Sequence, residues 1–298
     1  YRHTFKNGLH FGVTASVADD KTEVTKWTYN TKIPSYGATG WWDKSAYKEG
    51  MVLGDIWGLQ FDRFLTEDDF NADGSLKAGL PDQTKVFPAG YQFAPGDVLY
   101  KDLDNNGEIV KQTNTNDKGD LSVIGNALPR LQFGLNLDAA WKGFDISMFF
   151  QGVAKRKLWA AGNQVLPGFT TGEPFYKGAE DYWTPENTDA FYPRPMDYKQ
   201  SASGNYSVND RYLLNMAYLR LKTFTVGYSL PKVWLSKFKV QGLRVYFTGE
   251  NLFTIDGVKP AIDPEIGIRT ASGKSDQRNF GRSYPYQKTV SFGIQLSL

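Results

Sequence analysis

The 298-residue sequence contains no cysteine and only two histidines, His3 and His10. Without cysteine there is no disulfide framework, no thiolate metal site and no thiol nucleophile. Two histidines leave little for zinc or triad chemistry. A formal net charge of +2 gives no reason to expect nucleic acid as a partner. No apolar run of about 18 residues occurs, so no transmembrane helix is expected. No Gly-x-Ser-x-Gly, P-loop, His-Glu-x-x-His or dinucleotide fingerprint occurs either. Carboxylates are common, for instance Glu180-Asp181 and Asp263 with Glu265. Nothing pairs any of them across a cleft, as a glycosidase would require. Catalysis is therefore not expected.

What the chain has is aromatic residues, 15% of the total, 30 glycines, and alternation. In residues 131–141, Leu131, Phe133, Leu135, Leu137, Ala139 and Trp141 share one face. Gln132, Gly134, Asn136 and Asp138 share the other. After Lys142-Gly143, residues 144–151 repeat the pattern, with Phe144, Ile146, Met148 and Phe150 against Asp145, Ser147 and Gln151. Side chains alternate along a strand, so this is a hairpin with one apolar and one polar face. Each arm has about the 9–11 residues that a tilted strand needs to cross a bilayer. Trp141 and Phe144 flank the turn, where a membrane interface favours amphipathic rings. A hairpin of a soluble sandwich would show the same pattern.

The rest of the chain separates these readings. Strands of the same kind are predicted over about 9–18, 218–230, 243–250 and 286–298, with a partial one at Tyr1–Phe5. The links at 6–8, 142–143 and 231–242 are short. Those at 19–130, 152–217 and 251–285 are long. Short and long links alternate, as in outer-membrane barrels with short periplasmic turns and long outer loops. The parity requires that Ile56–Phe61, a short β-like run, is a wall extension or loop strand and not a crossing. Trp234, Leu235 and Phe238 have helical spacing, so 232–239 is expected to make one or two helical turns. The closing strand carries Val290, Phe292, Ile294, Leu296 and Leu298 on one face. The fold class expected is all-β: strands of a large antiparallel transmembrane barrel with long extracellular loops. The chain begins at Tyr1, inside a strand, and reads as a fragment or a processed chain. A soluble, secreted β-rich glycan-binding module or glycan hydrolase is the alternative.

Several stretches resemble SusC/RagA-type TonB-dependent outer-membrane transporters. They are Gly-Asp-Val-Leu-Tyr-Lys-Asp-Leu-Asp-Asn-Asn-Gly-Glu-Ile (96–109), Val-Ile-Gly-Asn-Ala-Leu-Pro-Arg (123–130) and Trp-Lys-Gly-Phe-Asp-Ile-Ser-Met-Phe-Phe-Gln-Gly (141–152). Tyr-Leu-Arg-Leu-Lys-Thr-Phe-Thr-Val-Gly-Tyr-Ser-Leu-Pro (218–231), Gly-Glu-Asn-Leu-Phe-Thr (249–254), Ile-Asp-Pro-Glu (262–265) and Tyr284-Pro285 follow in the family's order. The resemblance implies the C-terminal part of a barrel that imports oligosaccharides or peptides across the outer membrane of Bacteroidota. It implies a SusD-like surface lipoprotein as partner and TonB as energy source. The plug, the TonB box and the remaining barrel would lie N-terminal of these residues. Ser291, Gly293, Leu296 and Leu298 resemble the signal read by the barrel-assembly machinery, although the family commonly ends in Phe.

Two sets of site residues follow. Trp41, Trp42, Trp159, Tyr182, Trp183 and Tyr192 fall in the long loops, where flat rings suit stacking on sugars or packing on peptide side chains. The bland reading is that they pack the loops together or against a lid protein. Asp102, Asp104, Asn106 and Glu108, around Gly107, form a calcium-like loop. Its twelfth position is Thr113 and not the bidentate Glu of an EF-hand, with Asp117 or Asp120 as substitutes. A surface turn held by Asx residues and glycine gives the same pattern. No cofactor is required by either reading.

Overall fold

The structure is a computed structural model that describes residues 1–28, 49–114, 117–160, 162, 164–169, 175–196, 204–238, 240–259, 262–265 and 284–298. Its strands, in chain order, are β1 (Arg2–Thr4), β2 (His10–Ala18), β3 (Asp55–Gly58), β4 (Phe61–Phe64), β5 (Val98–Tyr100), β6 (Lys111–Asn114), β7 (Asp117–Gly119) and β8 (Ser122–Asn126). There follow β9 (Arg130–Trp141), β10 (Phe144–Lys155), β11 (Lys157–Leu158), β12 (Leu214–Asn215), β13 (Tyr218–Ser229), β14 (Gly242–Glu250), β15 (Thr254–Asp256) and β16 (Thr289–Ser297). One four-residue α-helix, Lys232–Leu235, lies in the connection from β13 to β14. Among the described residues no helix is long and apolar enough to cross a membrane.

The wall is an eight-stranded sheet in the order β1-β2-β9-β10-β13-β14-β16, with β15 added beside β13. Every neighbouring pair is antiparallel. The connections β1–β2, β9–β10 and β13–β14 therefore share one end, and the long excursions leave from the other. At the β9–β10 turn Lys142 and Gly143 both take positive φ, 49° and 90°. That is the mirror-image turn whose twist suits a hairpin.

The register decides what each face carries. Phe11, Ala139, Ile146, Val226, Phe247 and Phe292 are cross-strand partners in one row. Trp141, Phe144, Tyr228, Val245 and Ile294 make the next row toward the short turns. A slip of one residue in any strand would place its apolar set on the other face. The outer face is open: Phe292 is 82% exposed and Ile294 73%. Leaving such side chains in water forgoes roughly 1.5–3 kcal/mol each, and an apolar surface this extensive calls for an apolar neighbour.

The excursions behave differently. β3 pairs with β8, β4 with β5, β6 with β7 and β11 with β12, all off the wall. The Ile56–Phe61 run lies among these small sheets: Ile56 and Leu59 are fully buried, and β3 belongs to the two-stranded sheet with β8. Two buried apolar clusters form there. One gathers Ile56, Trp159, Leu166, Tyr212 and Met216. The other gathers Leu59, Val98, Tyr100, Ile109 and Trp183. The residues after β2 and those after β10 thus fold into one packed body above the wall.

Candidate functional site

The inner face of the wall is polar and built on close approaches. Asp145 and Arg244 form a two-pronged ion pair (Nη2 to Oδ2 2.5 Å, Nε to Oδ1 3.0 Å). The guanidinium crosses directly over Gly227, where an added Cβ would lie 2.5 Å from it. Tyr246 likewise covers Gly293, and the Arg244 guanidinium is 5.0 Å from the Tyr246 ring centroid. Glycine in these strands is what lets long side chains lie flat against the backbone. Asp138 covers Gly12 in the same way. A hollow of about 330 Å³ is lined here by Arg2, Thr14, Asn136, Asp138, Ser147 and Thr223.

The expected aromatic platform divides. Trp41 and Trp42 lie outside the described residues. Trp159, Trp183 and Tyr192 are buried at 2%, 7% and 3% exposure. Their faces are closed to a ligand, and the expectation that they stack on substrate is corrected accordingly. Trp159 packs with the first cluster, and Trp183 lies against Gly96, which takes φ +88°. Tyr192 donates its hydroxyl to the Val165 carbonyl at 2.9 Å. Long loops hold buried rings here because the two excursions supply a core for each other. Tyr182 alone of the four described rings is open, at 41%. It borders a groove of about 390 Å³ with Phe175, Tyr176, Pro193 and Pro195, floored by Tyr192.

Sequence reasoning assigns no role to the residues that lock this body together. Asp97 is fully buried. It accepts hydrogen bonds from the Tyr91 hydroxyl (2.8 Å), the Ala94 N–H (2.9 Å), Arg194 Nε (2.9 Å) and Asn205 Nδ2 (2.9 Å). Asn205 Oδ1 in turn accepts the Val98 N–H at 2.7 Å. One carboxylate therefore ties residues 91–98 to Arg194 and Asn205, more than ninety positions along the chain. A buried charge is tolerable only when paired and hydrogen-bonded in this way.

A second lock joins the wall to its third loop. Arg220, 3% exposed, pairs with Asp263 (Nη2 to Oδ1 2.7 Å) and with Glu265, and donates to Thr254 Oγ1 at 2.7 Å. Glu265 also accepts from Lys222 and from the Tyr218 hydroxyl, both at 2.8 Å. Ile-Asp-Pro-Glu therefore serves a structural pairing.

In the calcium-like loop the carboxylates of Asp102, Asp104 and Asp120 offer oxygens within 4.8 Å of one another. Two predicted members turn elsewhere. Glu108 forms an ion pair with Lys85, and Asn106 Oδ1 accepts the Glu108 N–H at 2.8 Å. Buried Asp120 is the carboxylate that stands beside Asp102 and Asp104. The loop's own N–H groups already hold these carboxylates: Gly107 donates to Asp102 at 2.8 Å, and Leu103 and Val110 each donate to Asp120 at 2.7 Å. Asn105 and Gly107 supply the positive φ, 58° and 84°. Desolvation, with the carboxylates of Asp120 and Asp102 adding to it, raises the Asp104 carboxyl above its ordinary range. Those bonds suffice to shape the turn.

No family model matches the chain. It is 29% identical over 258 residues to TonB-dependent receptor P3 of Formosa agariphila, covering 84% of this chain and 22% of that protein. TonB-dependent receptor P26 of the same organism is 32% identical over 200 residues, 65% of this chain and 19% of its own. TonB-dependent receptor SusC of Bacteroides thetaiotaomicron is 25% identical over 242 residues, 78% of this chain and 22% of its own. In fold, the chain matches the RagAB peptide transporter with a TM-score of 0.63 at 17% identity, over 99% of this chain and 28% of that one. The chain spans about a fifth of the length of the curated relatives it matches. These relatives are named as receptors and transporters, and none as an enzyme. The chain is thus similar in sequence to TonB-dependent receptors and in fold to the RagAB peptide transporter.

Proposed function

We propose, from the premise that the chain is a stretch of such a transporter, that it forms wall and outer loops of an outer-membrane importer of oligosaccharides or peptides. The observation that carries this reading is the unbroken apolar face set by register from β2 to β16. Strands of nine to twelve residues match the thickness of a bilayer. The polar inner face lines the passage, and the packed excursion body meets ligand at its mouth, together with a SusD-like surface lipoprotein. The remaining strands of the barrel pair with β1 and with β16, because a sheet edge in lipid leaves its N–H and C=O groups unpaired. The plug and the contact with TonB belong to those remaining parts. Gly293, Ser291, Leu296 and Leu298 form the strand read by the barrel-assembly machinery. Transport of this kind requires no cofactor and no bond chemistry from these residues.

The deciding experiment is purification of the intact polypeptide from outer membrane in detergent, with its partners, followed by uptake assays. A polypeptide several times longer than these 298 residues, a lipoprotein alongside it, and uptake that stops when TonB is deleted are the expected results. A species that is monodisperse in water without detergent would overturn the reading and favour the secreted module.

A further inference from the structure

The end of the wall that carries the short connections has charge of one sign. The connections 6–8, 142–143 and 231–242 contain Lys6, Lys142, Lys232, Lys237 and Lys239, and no Asp or Glu. Among the described residues, none of Lys6, Lys142, Lys232 and Lys237 is in an ion pair. Asp145, just inside the β9–β10 turn, is taken up by Arg244. At the excursion end, by contrast, Arg130 pairs with Asp19, and Arg220 with Asp263 and Glu265.

The three connections form one rim. The Trp141 indole N–H donates to the Asn7 carbonyl at 3.2 Å and joins the second connection to the first. The Ser229 N–H donates to the Gly143 carbonyl at 2.8 Å and joins the third to the second. At the far end of the third, the Gln241 N–H donates to the Ser297 carbonyl at 2.9 Å. The helix Lys232–Leu235 within it buries Leu235 but leaves Val233 and Trp234 open, at 78% and 60%. The outer apolar face runs down to this rim. Leu243 and Leu296, cross-strand partners, follow Val245 and Ile294 on that face by alternation. Trp141 and Phe144 are exposed beside them, and the Lys142 ammonium lies 4.5 Å from the Trp141 ring centroid.

Open indole and aliphatic groups beside unpaired ammonium groups have two needs, an apolar neighbour and an anion. Water meets neither, and hydrocarbon meets only the first. The headgroup layer of a bilayer meets both, since rings settle at that level and lysine stems reach from it to the phosphates. Each lysine beside an anionic lipid surface strengthens association by about fivefold.

We infer that this rim docks on anionic phospholipid headgroups, with Lys232 and Lys237 on the phosphates and Trp234 at the level of the ester groups. The inference rests on the importer reading, which places the outer face in lipid. It adds the class of lipid that the leaflet at the short-connection end supplies.

The test uses the full-length transporter in nanodiscs of phosphatidylglycerol and phosphatidylethanolamine in equal parts. Native mass spectrometry reads which lipids stay bound. The wild type is expected to retain phosphatidylglycerol in preference. Lys232→Gln/Lys237→Gln lowers that preference by about tenfold or more, and Lys232→Arg/Lys237→Arg keeps it. Lys77→Gln/Lys101→Gln, at exposed sites of the excursion body, removes the same charge and leaves the preference unchanged. Absence of a preference in the wild type overturns the inference. An undiminished preference in the rim Gln variant, or an equal loss in the excursion variant, does so too. If the rim variant does not assemble, a salt titration of the wild type decides. A preference unchanged between low and high KCl overturns the inference, and a steep loss supports it. Insertion and TonB-dependent uptake are measured separately. A transporter that inserts and imports yet retains both lipids equally sinks this inference alone.

Discussion

The wall and the excursion body are built on opposite plans. In the wall, apolar side chains point away from the protein, no core is enclosed, and each strand is specified by its immediate neighbours. In the excursion body, strands of two to five residues are stitched around two buried clusters by contacts between distant segments. The first plan suits a partner that is everywhere apolar. The second suits water, because its polar groups are paired inside and its apolar groups are hidden. A single chain switches plan after β2 and again after β10.

Four substitutions or conditions would break or sharpen this contrast. The largest effect is expected from Asp97→Ala. It removes the carboxylate that Asn205 and Arg194 share in the interior, leaving them the weaker Met196 Sδ and Tyr91 hydroxyl contacts, and costs the excursion body about 3 kcal/mol. Limited proteolysis should then cut within 180–196 while the wall keeps its heat-modifiable mobility on gels. Simultaneous loss of both would show that the two regions are one cooperative unit.

Phe247→Arg inverts the experiment. Phe247 is central in the outer row, and a charge at the middle of a bilayer costs a barrel about 2–4 kcal/mol. Assembly into outer membrane should fall, while an excursion substitution of the same kind on an exposed site should not. Normal assembly of Phe247→Arg would argue against a lipid-facing wall.

Gly96→Ala comes next. The residue takes φ +88°, and a Cβ there would lie 2.5 Å from the Trp183 ring. A loss of about 1–3 kcal/mol is expected, read as a lower melting temperature of the excursion body. An unchanged melting temperature would mean that the ring moves aside freely.

The smallest effect is acid sensitivity of the Arg63–Asp69 pair. The hydrogen bond from the Arg63 guanidinium is the main cause that holds the Asp69 carboxyl down at about 2. A depressed carboxyl contributes stability above its unfolded value and loses it as pH falls through the folded one. The turn at 66–77 should therefore survive pH 4 and loosen only between about pH 4 and pH 2, as followed by hydrogen exchange. Asp69→Asn should remove that acid step. Loosening already at pH 5 would contradict the pairing.

The wall was legible because its code is local. Leu131 through Trp141 announce a strand by alternation, and Lys142-Gly143 announces its turn. The excursions were not, because their code is distant. For Trp159 and Trp183 both ligand stacking and loop packing stayed open, since a long loop gives no sequence sign that another loop will cover it. Asp97 lies in the family-like stretch 96–109, but nothing there assigns it a role, and its partners at 194 and 205 are unrecognisable until the chain folds. In the calcium-like loop, Glu108 fitted a template position, but Lys85, more than twenty positions upstream, draws it away. Asp120 was weighed only as a substitute ligand, because buried side chains beyond the template leave no spacing rule.

The two-ended layout has an evolutionary corollary. Residues that lock the excursion body mostly bond to one another: Asp97 to Arg194 and Asn205, Tyr100 to the Gly204 carbonyl. The ladder beneath depends on none of these bonds. The bonds that lock the body can therefore change without breaking any rung of the wall's ladder. On the importer reading, the surface offered to ligand can vary while the surface offered to lipid stays fixed.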